Sequence, residues 1–316
     1  MGPEPLRPKC QQDLVTIIVT TLNSEKLLSR SLDSCLGQTH DLLEVIVVDG
    51  GSTDRTLEIV ASYDDPRLRL VHQLDNEGKL PGAINLGMAE SRGQFLTWIQ
   101  DDSWFEPQAV ETMLAYLRAH AEVALVYTDY WDVDEQGQLL QYQRVNAPDR
   151  ILSDDVVRQS FLFRRQVYET IGPQDVRYFP VHEVPWRMQI IQRFRVEPLH
   201  VPLLSYTVHA GSLTGRIGNR TLRRQVAGIF REQGYLDRGA YRRRLAEIDI
   251  TEAYEAYKLR GDCGSFLQYA TLGICRDPAW LRNRGLLKLM VRSLLPGREG
   301  YRDKFLRDTD PAVEAS

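Results

Sequence analysis

The stretch GQFLTWIQDD, residues 93–102, decides the fold that the sequence predicts. Its first eight residues are mostly apolar, which is typical of a buried strand, and two adjacent carboxylates follow, Asp101 and Asp102. An unpaired charge is costly to bury, so this pair should meet a cation or solvent where the strand ends. The carboxyl edge of a parallel sheet is where α/β proteins bind ligands, and carboxylate oxygens suit Mg²⁺ or Mn²⁺. The alternative is a pair that only caps a helix or lies in a solvated turn.

Apolar runs on both sides of this stretch alternate with helical patterns. Four of these runs are predicted strands: residues 15–21, 43–48, 68–72 and 124–130. Asn23 and Ser24 are predicted to cap the helix that follows the first strand. Because strands that alternate with helices form right-handed βαβ units, the sequence predicts an α/β fold with a Rossmann-like, mostly parallel sheet flanked by helices.

The bulk composition is that of an ordinary globular protein. The chain has 316 residues, of which 43% are hydrophobic and 26% charged, and its net charge of −4 argues against a nucleic-acid partner held by bulk charge. Four scattered cysteines predict free thiols in a reducing compartment. Residues 1–14 lack the apolar core of a signal peptide, and no run reaches the roughly 18 apolar residues of a membrane span, so we expect a cytoplasmic protein.

Two common classes of nucleotide-binding protein are disfavoured by the loop after the first strand. The dinucleotide fingerprint GxGxxG is missing there, where TTLN stands at residues 20–23. No GxxxxGK[ST] loop occurs in the sequence either. NAD(P)-dependent dehydrogenases and P-loop nucleotide hydrolases are therefore poor candidates.

Four ordered motifs resemble those of family 2 glycosyltransferases, which have the GT-A fold. They read VTIIVTTLN at residues 15–23, VVDGGSTDRT at 47–56, NEG at 76–78, and QDDS at 100–103. The resemblance covers roughly residues 13–215. It implies an inverting enzyme that moves a sugar from a nucleotide-diphosphate donor, UDP by default, to the hydroxyl of a glycan or lipid-linked sugar acceptor. A role in bacterial surface polysaccharide or glycolipid synthesis follows as a hypothesis.

The resemblance implies nucleotide contacts at the ends of adjacent strands. Thr20, Thr21, Asn23 and Asp49 are positioned to hydrogen-bond the base and ribose of a donor. The alternatives are that Asn23 only caps its helix and that Asp49 only fixes the following Gly-Gly turn. Lys79 follows a glycine and could reach a phosphate, or could simply be a solvated lysine.

Asp102 is the predicted ligand for Mn²⁺ or Mg²⁺, with Asp101 beside it as a nucleotide contact. His209 stands in a segment, residues 206–214, that resembles the late histidine-containing loop of the family, and it is a second candidate metal ligand. A metal here would stabilise the leaving nucleoside diphosphate. Gln100 and Ser103 depart from the common Asp-x-Asp-Asp pattern of the family, which puts the strength of metal binding in doubt.

Glu183 is the predicted acceptor-side base. The stretch VHEVPWRM at residues 181–188 resembles the region where the family places an acidic residue before a helix, and an inverting transfer needs a carboxylate to accept the acceptor's proton. The alternatives are a helix N-terminal charge and a surface salt bridge. His182 competes as the local base and is a candidate acceptor contact. Trp186 could stack on an acceptor sugar or lie in the core.

The predicted organisation has three parts. Residues 1–12 form a polar tail, 13–215 form the glycosyltransferase domain, divided near residue 130 into a nucleotide-sugar half and an acceptor half, and 216–316 form a basic helical region. Residues 276–308 hold nine Lys/Arg against four Asp/Glu, which suits peripheral contact with an anionic membrane. A packed helix or a dimer contact is the alternative.

Two rival functions remain open from the sequence. A nucleotidyltransferase on a similar fold would usually need a glycine-rich loop after the first strand, and none is present there. A non-catalytic protein that binds a sugar nucleotide or a glycan is kept open by Gln100 and Ser103.

Overall fold

The computed structural model describes residues 11–150, 160–209, 212, 217 and 219–294. Contacts along the chain divide it into two compact units after Arg216. We call residues 1–216 the amino-terminal unit and residues 217–316 the helical unit.

The amino-terminal unit contains one sheet and the helices that flank it. Its strands are β1 Gln11–Thr21, β2 Leu43–Asp49, β3 Leu68–His72, β4 Gly93–Gln100, β5 Ser103–Phe105, β6 Val123–Val133, β7 Leu139–Gln143, β8 Phe161–Arg164 and β9 Arg195–Thr207. Its helices are α1 Leu28–Leu36, α2 Thr56–Ala61, α3 Lys79–Glu90, α4 Ala109–Ala119, α5 Arg165–Ile171 and α6 Glu183–Arg193.

The sheet runs in the order β3-β2-β1-β4-β8-β6-β9-β5, and β7 pairs with β6. The first four strands in that order are mutually parallel, as the alternation of strands and helices predicts. The remainder is mixed, because β8 is antiparallel to both β4 and β6, whereas β9 is parallel to β6. The predicted α/β, Rossmann-like architecture is confirmed, but the sheet is mixed and not mostly parallel, since four of the eight pairings among the described strands are antiparallel.

The parallel half brings three strand ends to one edge of the sheet. Thr20 lies opposite Val48 of β2 on one side and opposite Gln100 of β4 on the other. The residues that follow these strands therefore emerge side by side. Because β1 and β2 are built from β-branched and aliphatic side chains buried on both faces, their register is firmly fixed.

The start of α1 corrects one sequence prediction. The helix begins at Leu28, and its preceding residue provides no side-chain cap. Asn23 instead adopts a positive φ of 54° and belongs to the loop before the helix. Its predicted role as a helix cap is therefore wrong, and its side chain is available for a different task.

The helical unit consists of four described helices: α7 Asn219–Glu232, α8 Arg238–Glu255, α9 Cys263–Arg276 and α10 Arg284–Ser293. Three of them begin at side-chain caps, since Asp237, Asp262 and Asn283 accept hydrogen bonds from backbone N–H groups of the first turn. Their apolar faces meet in a cluster that includes Phe266, Ala270 and Leu286. Within the part of the chain that the structure describes, no helix combines the length and apolar character needed to cross a bilayer.

Candidate active site

A cleft of about 730 Å³ opens where β1 and β4 end. Polar side chains from several separate segments line it. Seven of the residues singled out from the sequence are among them: Thr20, Thr21, Asn23, Lys79, Asp101, Asp102 and His209. The other four, Asp49, His182, Glu183 and Trp186, are not part of this lining.

One wall of the cleft is a pair of loops tied together by Asn23. Its Oδ1 accepts a hydrogen bond of 2.8 Å from the backbone N–H of Thr53, and its own N–H donates to Ser52 Oγ at 2.9 Å. The next N–H, of Ser24, donates to Thr56 Oγ1 at 2.8 Å. Asn23 therefore holds the loop after β1 against the loop after β2 and presents the remainder of its amide to the cleft.

Asp49 fixes the turn behind this wall. Its side chain is only 1% exposed, and its carboxylate accepts hydrogen bonds from the N–H groups of Gly51, at 3.0 Å, and Ser52, at 3.2 Å. Gly51 has a φ of 95°, a conformation that glycine adopts without strain. The structure thus shows the turn-fixing role considered as the alternative for Asp49, and its contact with the nucleotide stays a prediction.

Thr20 and Thr21 lie on the floor of the cleft. Both are buried, at 5% exposure, yet both line the cavity. Thr20 Oγ1 has no hydrogen-bond partner among the described residues. A buried hydroxyl without a partner is costly, so this atom is placed to bond a ligand that enters the cleft.

Asp102 and His209 form the acidic end of the cleft. Asp102 Oδ2 lies 3.2 Å from His209 Nε2, and Asp102 Oδ1 accepts a hydrogen bond of 3.0 Å from Ser103 Oγ. The backbone carbonyl of Asp102 also accepts a hydrogen bond from the Thr207 hydroxyl. These contacts follow from the antiparallel pairing of β5 with β9, in which Ser103 lies opposite Tyr206. The two predicted metal ligands, 107 positions apart in sequence, are thereby neighbours.

The carboxyl group of Asp101 has a raised pKa. Burial raises the pKa of its carboxyl to about 6, and the adjacent negative charge of Asp102 adds to the increase. Its Oδ2 accepts a hydrogen bond of 3.3 Å from the N–H of Leu22, which links the end of β4 to the loop after β1. A cation bound beside Asp101 would lower this pKa and favour the ionised carboxylate.

The donor set suits a divalent cation that also contacts a phosphate. One carboxylate and one imidazole are in place at Asp102 and His209, and Glu135 Oε1 lies 3.9 Å from His209 Nδ1. The described residues contain no preformed group of three or more His, Cys, Asp or Glu side chains that could hold a metal ion. Mg²⁺ and Mn²⁺ sites often use one or two protein ligands and complete their coordination with substrate phosphates and water, so the pair fits such an ion.

Glu135 is a cleft residue that sequence reasoning missed. The sequence does predict a hairpin turn at residues 134–137, but not where its tip lies. In the structure the turn between β6 and β7 reaches the cleft, where Glu135 approaches His209 and the carbonyl of Glu135 accepts a hydrogen bond from Arg30. Only the long-range pairing of β6 with β9 brings it there.

Lys79 occupies the opposite side of the cleft. It has a φ of 54°, and its Nζ lies 4.9 Å from the centre of the Phe179 ring, in a cation–π contact. The preceding Gly78 also has a positive φ, of 71°, and a Cβ there would come within 2.9 Å of Val176. The local backbone therefore requires glycine and directs the ammonium group of Lys79 to the cleft, as a phosphate contact needs.

Glu183 lies at the first turn of α6, where Trp98 and Arg187 contact its carboxylate. Its Oε1 accepts a hydrogen bond of 3.2 Å from Trp98 Nε1, and its Oε2 pairs with Arg187 one turn further along the helix. The side chains of Glu183 and Arg187 are only 18% and 5% exposed, so this is not the surface salt bridge considered above. The carboxylate is held in one orientation beside β4, the strand that carries Trp98.

His182 and Trp186 are both buried, at 2% exposure. Burial lowers the pKa of His182 to about 4, and a neutral imidazole with so low a pKa is a weak base, which argues against it as the competitor of Glu183. Trp186 packs edge-on against Trp98 and Phe163 and donates a hydrogen bond of 3.0 Å to the carbonyl of Gly172. Trp186 therefore occupies the core position that the sequence left open as the alternative to an acceptor contact.

Known proteins resemble this chain in both sequence and fold. The family model described as Glycosyl transferase family 2 matches residues 16–172. A PGL/p-HBAD biosynthesis glycosyltransferase of Mycobacterium tuberculosis is 30% identical over 208 residues, which are 63% of this chain and 78% of the relative. Chondroitin synthase of Escherichia coli is 36% identical over 129 residues, 40% of this chain and 18% of that protein.

Two solved structures share the fold at low sequence identity. S. aureus TarS in complex with UDP-GlcNAc superposes with a TM-score of 0.58 at 16% identity, covering 88% of each chain. The mannosyltransferase PcManGT from Pyrobaculum calidifontis, in complex with GDP-Man and Mn²⁺, superposes with a TM-score of 0.57 at 17% identity, covering 88% of this chain and 78% of that one. At these identities the likeness establishes the fold alone.

Proposed function

Because this chain belongs to glycosyl transferase family 2 and is a glycosyltransferase, we propose that it moves a sugar from a nucleoside-diphosphate donor to an acceptor hydroxyl by direct displacement, with inversion at the anomeric carbon. A UDP-sugar is the proposed donor. The neighbours TarS and PcManGT, whose structures contain UDP-GlcNAc and GDP-Man, support a sugar nucleotide in general and leave uridine and guanosine as the bases to compare first.

The observation that carries this proposal is the Asp102–His209 pair at the edge of the cleft. We propose that Asp102 and His209 hold Mn²⁺ or Mg²⁺, which would supply charge neutralisation for the leaving diphosphate. Lys79, on the other side of the cleft, adds a second positive charge for the phosphates. The unpartnered hydroxyl of Thr20 and the amide of Asn23 are then the groups that bond the base and ribose.

Glu183 is the proposed base. Displacement requires a carboxylate that accepts the proton of the acceptor hydroxyl as the new bond to the anomeric carbon forms. Arg187 and Trp98 hold the two oxygens of Glu183 in place. A charge-assisted pair is stronger than a hydrogen bond from a neutral indole, so Oε1, which faces Trp98, is the oxygen that can exchange its partner for the acceptor.

The acceptor is proposed to be a glycan or a lipid-linked sugar, in the synthesis of a bacterial surface polysaccharide or glycolipid. The mycobacterial relative, named for PGL/p-HBAD biosynthesis, supports this class of acceptor. Family membership sets aside a nucleotidyltransferase. The structure also weakens the case for a non-catalytic binding protein, which rested on the departures of Gln100 and Ser103 from the Asp-x-Asp-Asp pattern. Ser103 donates a hydrogen bond that orients Asp102.

The test is a transfer assay with purified full-length chain, a panel of UDP- and GDP-sugars and both free and lipid-linked glycan acceptors. We expect a product whose anomeric configuration, measured by NMR, is opposite to that of the donor, and turnover that stops when EDTA removes divalent ions. A product that retains the donor configuration would refute direct displacement. Full turnover in EDTA would refute the role of Asp102 and His209.

A further inference from the structure

The helix α10 carries cations on one face and its packed apolar residues on the other. Arg284, Lys288 and Arg292 follow one another at intervals of four, so they share one side of the helix. The opposite side is anchored in the helical unit through the fully buried Leu286 and the partly buried Met290. The outward side is therefore a fixed surface of the folded unit.

The charged residues in and around α10 are all positive. Residues 278–294 contain four Lys/Arg and no Asp or Glu. Residues 217–294 as a whole contain fifteen Lys/Arg and eight Asp/Glu, a net charge of +7. A surface that serves only solubility usually mixes both signs, whereas a one-sign surface attracts a partner of opposite charge.

Large exposed apolar side chains lie close to these cations in the sequence. Leu281, Val291 and Leu294 are 53%, 61% and 69% exposed. Val291 lies seven positions after Arg284, two helical turns on, and so shares its side of the helix. We call Leu281, Val291, Leu294 and the four cations Arg282, Arg284, Lys288 and Arg292 the basic face. Its partner must offer both anionic groups and an apolar layer.

We propose that the basic face docks on the surface of a bilayer that contains anionic phospholipids. Lipid phosphates would meet the four cations, and Leu281, Val291 and Leu294 would enter the boundary between headgroups and acyl chains. A nucleic acid would use the cations but not the aliphatic side chains. A second copy of the same face would bring like charges together. The bilayer is the partner that uses both features.

The inference goes beyond the proposed function, because it concerns binding and not transfer. Residues 1–216 hold twenty Lys/Arg and thirty Asp/Glu, a net charge of −10, and an anionic surface repels them. Attraction is thus confined to the helical unit. A cation near an anionic bilayer contributes roughly a fivefold increase in partitioning, so three of them amount to about 100-fold.

The test is co-sedimentation of the full chain with vesicles of phosphatidylcholine alone or of phosphatidylcholine mixed with phosphatidylglycerol. We expect binding to the mixed vesicles only, weakened by added salt. The triple variant Arg284→Glu/Lys288→Glu/Arg292→Glu should lose at least about 100-fold of that binding. The matched control Arg238→Glu/Arg243→Glu/Lys258→Glu makes the same change in net charge elsewhere in the helical unit, at exposed positions, and should lose far less.

Three results would overturn the proposal. Equal loss in both triple variants would show that net charge, not the basic face, attracts the vesicles. Failure to bind the mixed vesicles, with retention of a single-stranded RNA probe, would assign the face to nucleic acid. Loss of self-association by the first triple variant in analytical ultracentrifugation, without vesicle binding by the parent, would assign the basic face to a second copy.

A double variant tests the apolar part of the basic face. Val291→Ser/Leu294→Ser should weaken vesicle binding severalfold while leaving the salt dependence of that binding intact. Unfolding curves measured for each variant show whether it is still folded.

Discussion

The two units of this chain handle charge in opposite ways. The amino-terminal unit is acidic and gathers carboxylates where parallel strands end, at Asp101 and Asp102. The helical unit is basic and completely buries the carboxylate of Asp249. This side chain is 0% exposed and pairs with the guanidinium groups of Arg220, Arg224 and Arg276. A buried carboxylate surrounded by arginines holds helices together, whereas one that faces a cleft with a histidine is available for chemistry.

The same distinction appears inside the amino-terminal unit. Glu44 is also buried, and burial raises its pKa, but hydrogen bonds from the Arg92 N–H, at 2.9 Å, and the Thr16 hydroxyl, at 2.8 Å, together with the Arg92 guanidinium and the charge of Arg69, outweigh this and leave the pKa lowered. Asp101 also accepts hydrogen bonds, but burial and the negative charge of Asp102 keep its pKa raised. The sign of the neighbouring charge, guanidinium groups beside Glu44 and a carboxylate beside Asp101, distinguishes the two positions.

The largest expected effect is at the metal site. Asp102→Asn should lower turnover by about 1000-fold or more and remove the contribution of Mn²⁺ to nucleotide binding, because a neutral amide is a poor ligand for a hard cation. Isothermal titration with UDP, with and without Mn²⁺, measures the second effect. The control is Glu58→Gln, which neutralises an exposed carboxylate of the same unit and should change neither quantity.

Glu183→Gln should separate binding from transfer. The amide can no longer accept the proton of the acceptor, so transfer should fall by about 100- to 1000-fold, while the affinity for the donor nucleotide stays unchanged. The transfer rate and the affinity for the donor nucleotide should be measured on the same preparation of the variant. Normal turnover would exclude Glu183 as base and direct attention to two carboxylates that line the cleft, Asp101 and Glu135.

Asp249→Ala should act on the helical unit alone. Removing the carboxylate leaves three guanidinium groups without their shared partner, which is expected to destabilise that unit by about 3 kcal/mol. Hydrogen exchange should accelerate across residues 219–294 and stay unchanged across residues 11–209. Glu247→Ala, which removes an exposed carboxylate of α8, is the control. Uniform acceleration in both units would show that their stabilities are not separate.

His182 should make the amino-terminal unit lose stability in acid. Its pKa is about 4 in the folded state against 6.5 for a free histidine, so the unfolded state binds the proton first. The stability is full above about pH 6.5 and falls as the pH drops towards 4. His182→Gln should flatten this part of the stability curve measured by urea unfolding. The same fall in the variant would contradict the buried, neutral imidazole.

Asp101 should change the pH dependence of folding stability in the opposite direction to His182, and by a somewhat smaller amount. Its folded pKa, about 6, lies above the ordinary value of 3.8, so the folded state binds the proton first. The associated stability is full below about pH 4 and is lost as the pH rises through 6. Asp101→Asn should remove this loss and favour the folded state by at least about tenfold above pH 7, since one pKa unit corresponds to about 1.4 kcal/mol. No gain above that pH would contradict the raised pKa.

The parallel half of the fold follows from the sequence because its signals are local. The runs at residues 15–21 and 43–48 are mostly β-branched and aliphatic, and the helical pattern between them restricts the possible topologies of the chain. The polar residues at their ends could be predicted to share an edge for the same reason. The sequence correctly predicts that Asn23 lies at that edge, but it wrongly predicts a helix cap. The side chain of Asn23 instead accepts a hydrogen bond from the N–H of Thr53, thirty positions away.

The rest of the site depends on pairings that no local signal reveals. His209 reaches Asp102 because β5 pairs with β9, and Glu135 approaches His209 because the turn that follows β6 extends to the cleft. Trp186 has the amphipathic character of a sugar platform, but four aromatic residues pack around one point in the core and Trp186 is one of them. Sequence alone cannot choose between these two uses of an indole, because they differ in tertiary contacts and not in composition.

The most direct test of the cleft as a metal-dependent sugar-nucleotide site is thermal unfolding of the full chain with UDP, GDP and dTDP, each with and without Mn²⁺. A ligand that binds only the folded state raises Tm, by an amount equivalent to about 2.7 kcal/mol when present at about 100 times its Kd. We predict a rise for one nucleotide that grows with Mn²⁺ and disappears in Asp102→Asn. An unchanged Tm with every nucleotide, or a Mn²⁺-dependent rise that survives in Asp102→Asn, would contradict the site described for this glycosyltransferase.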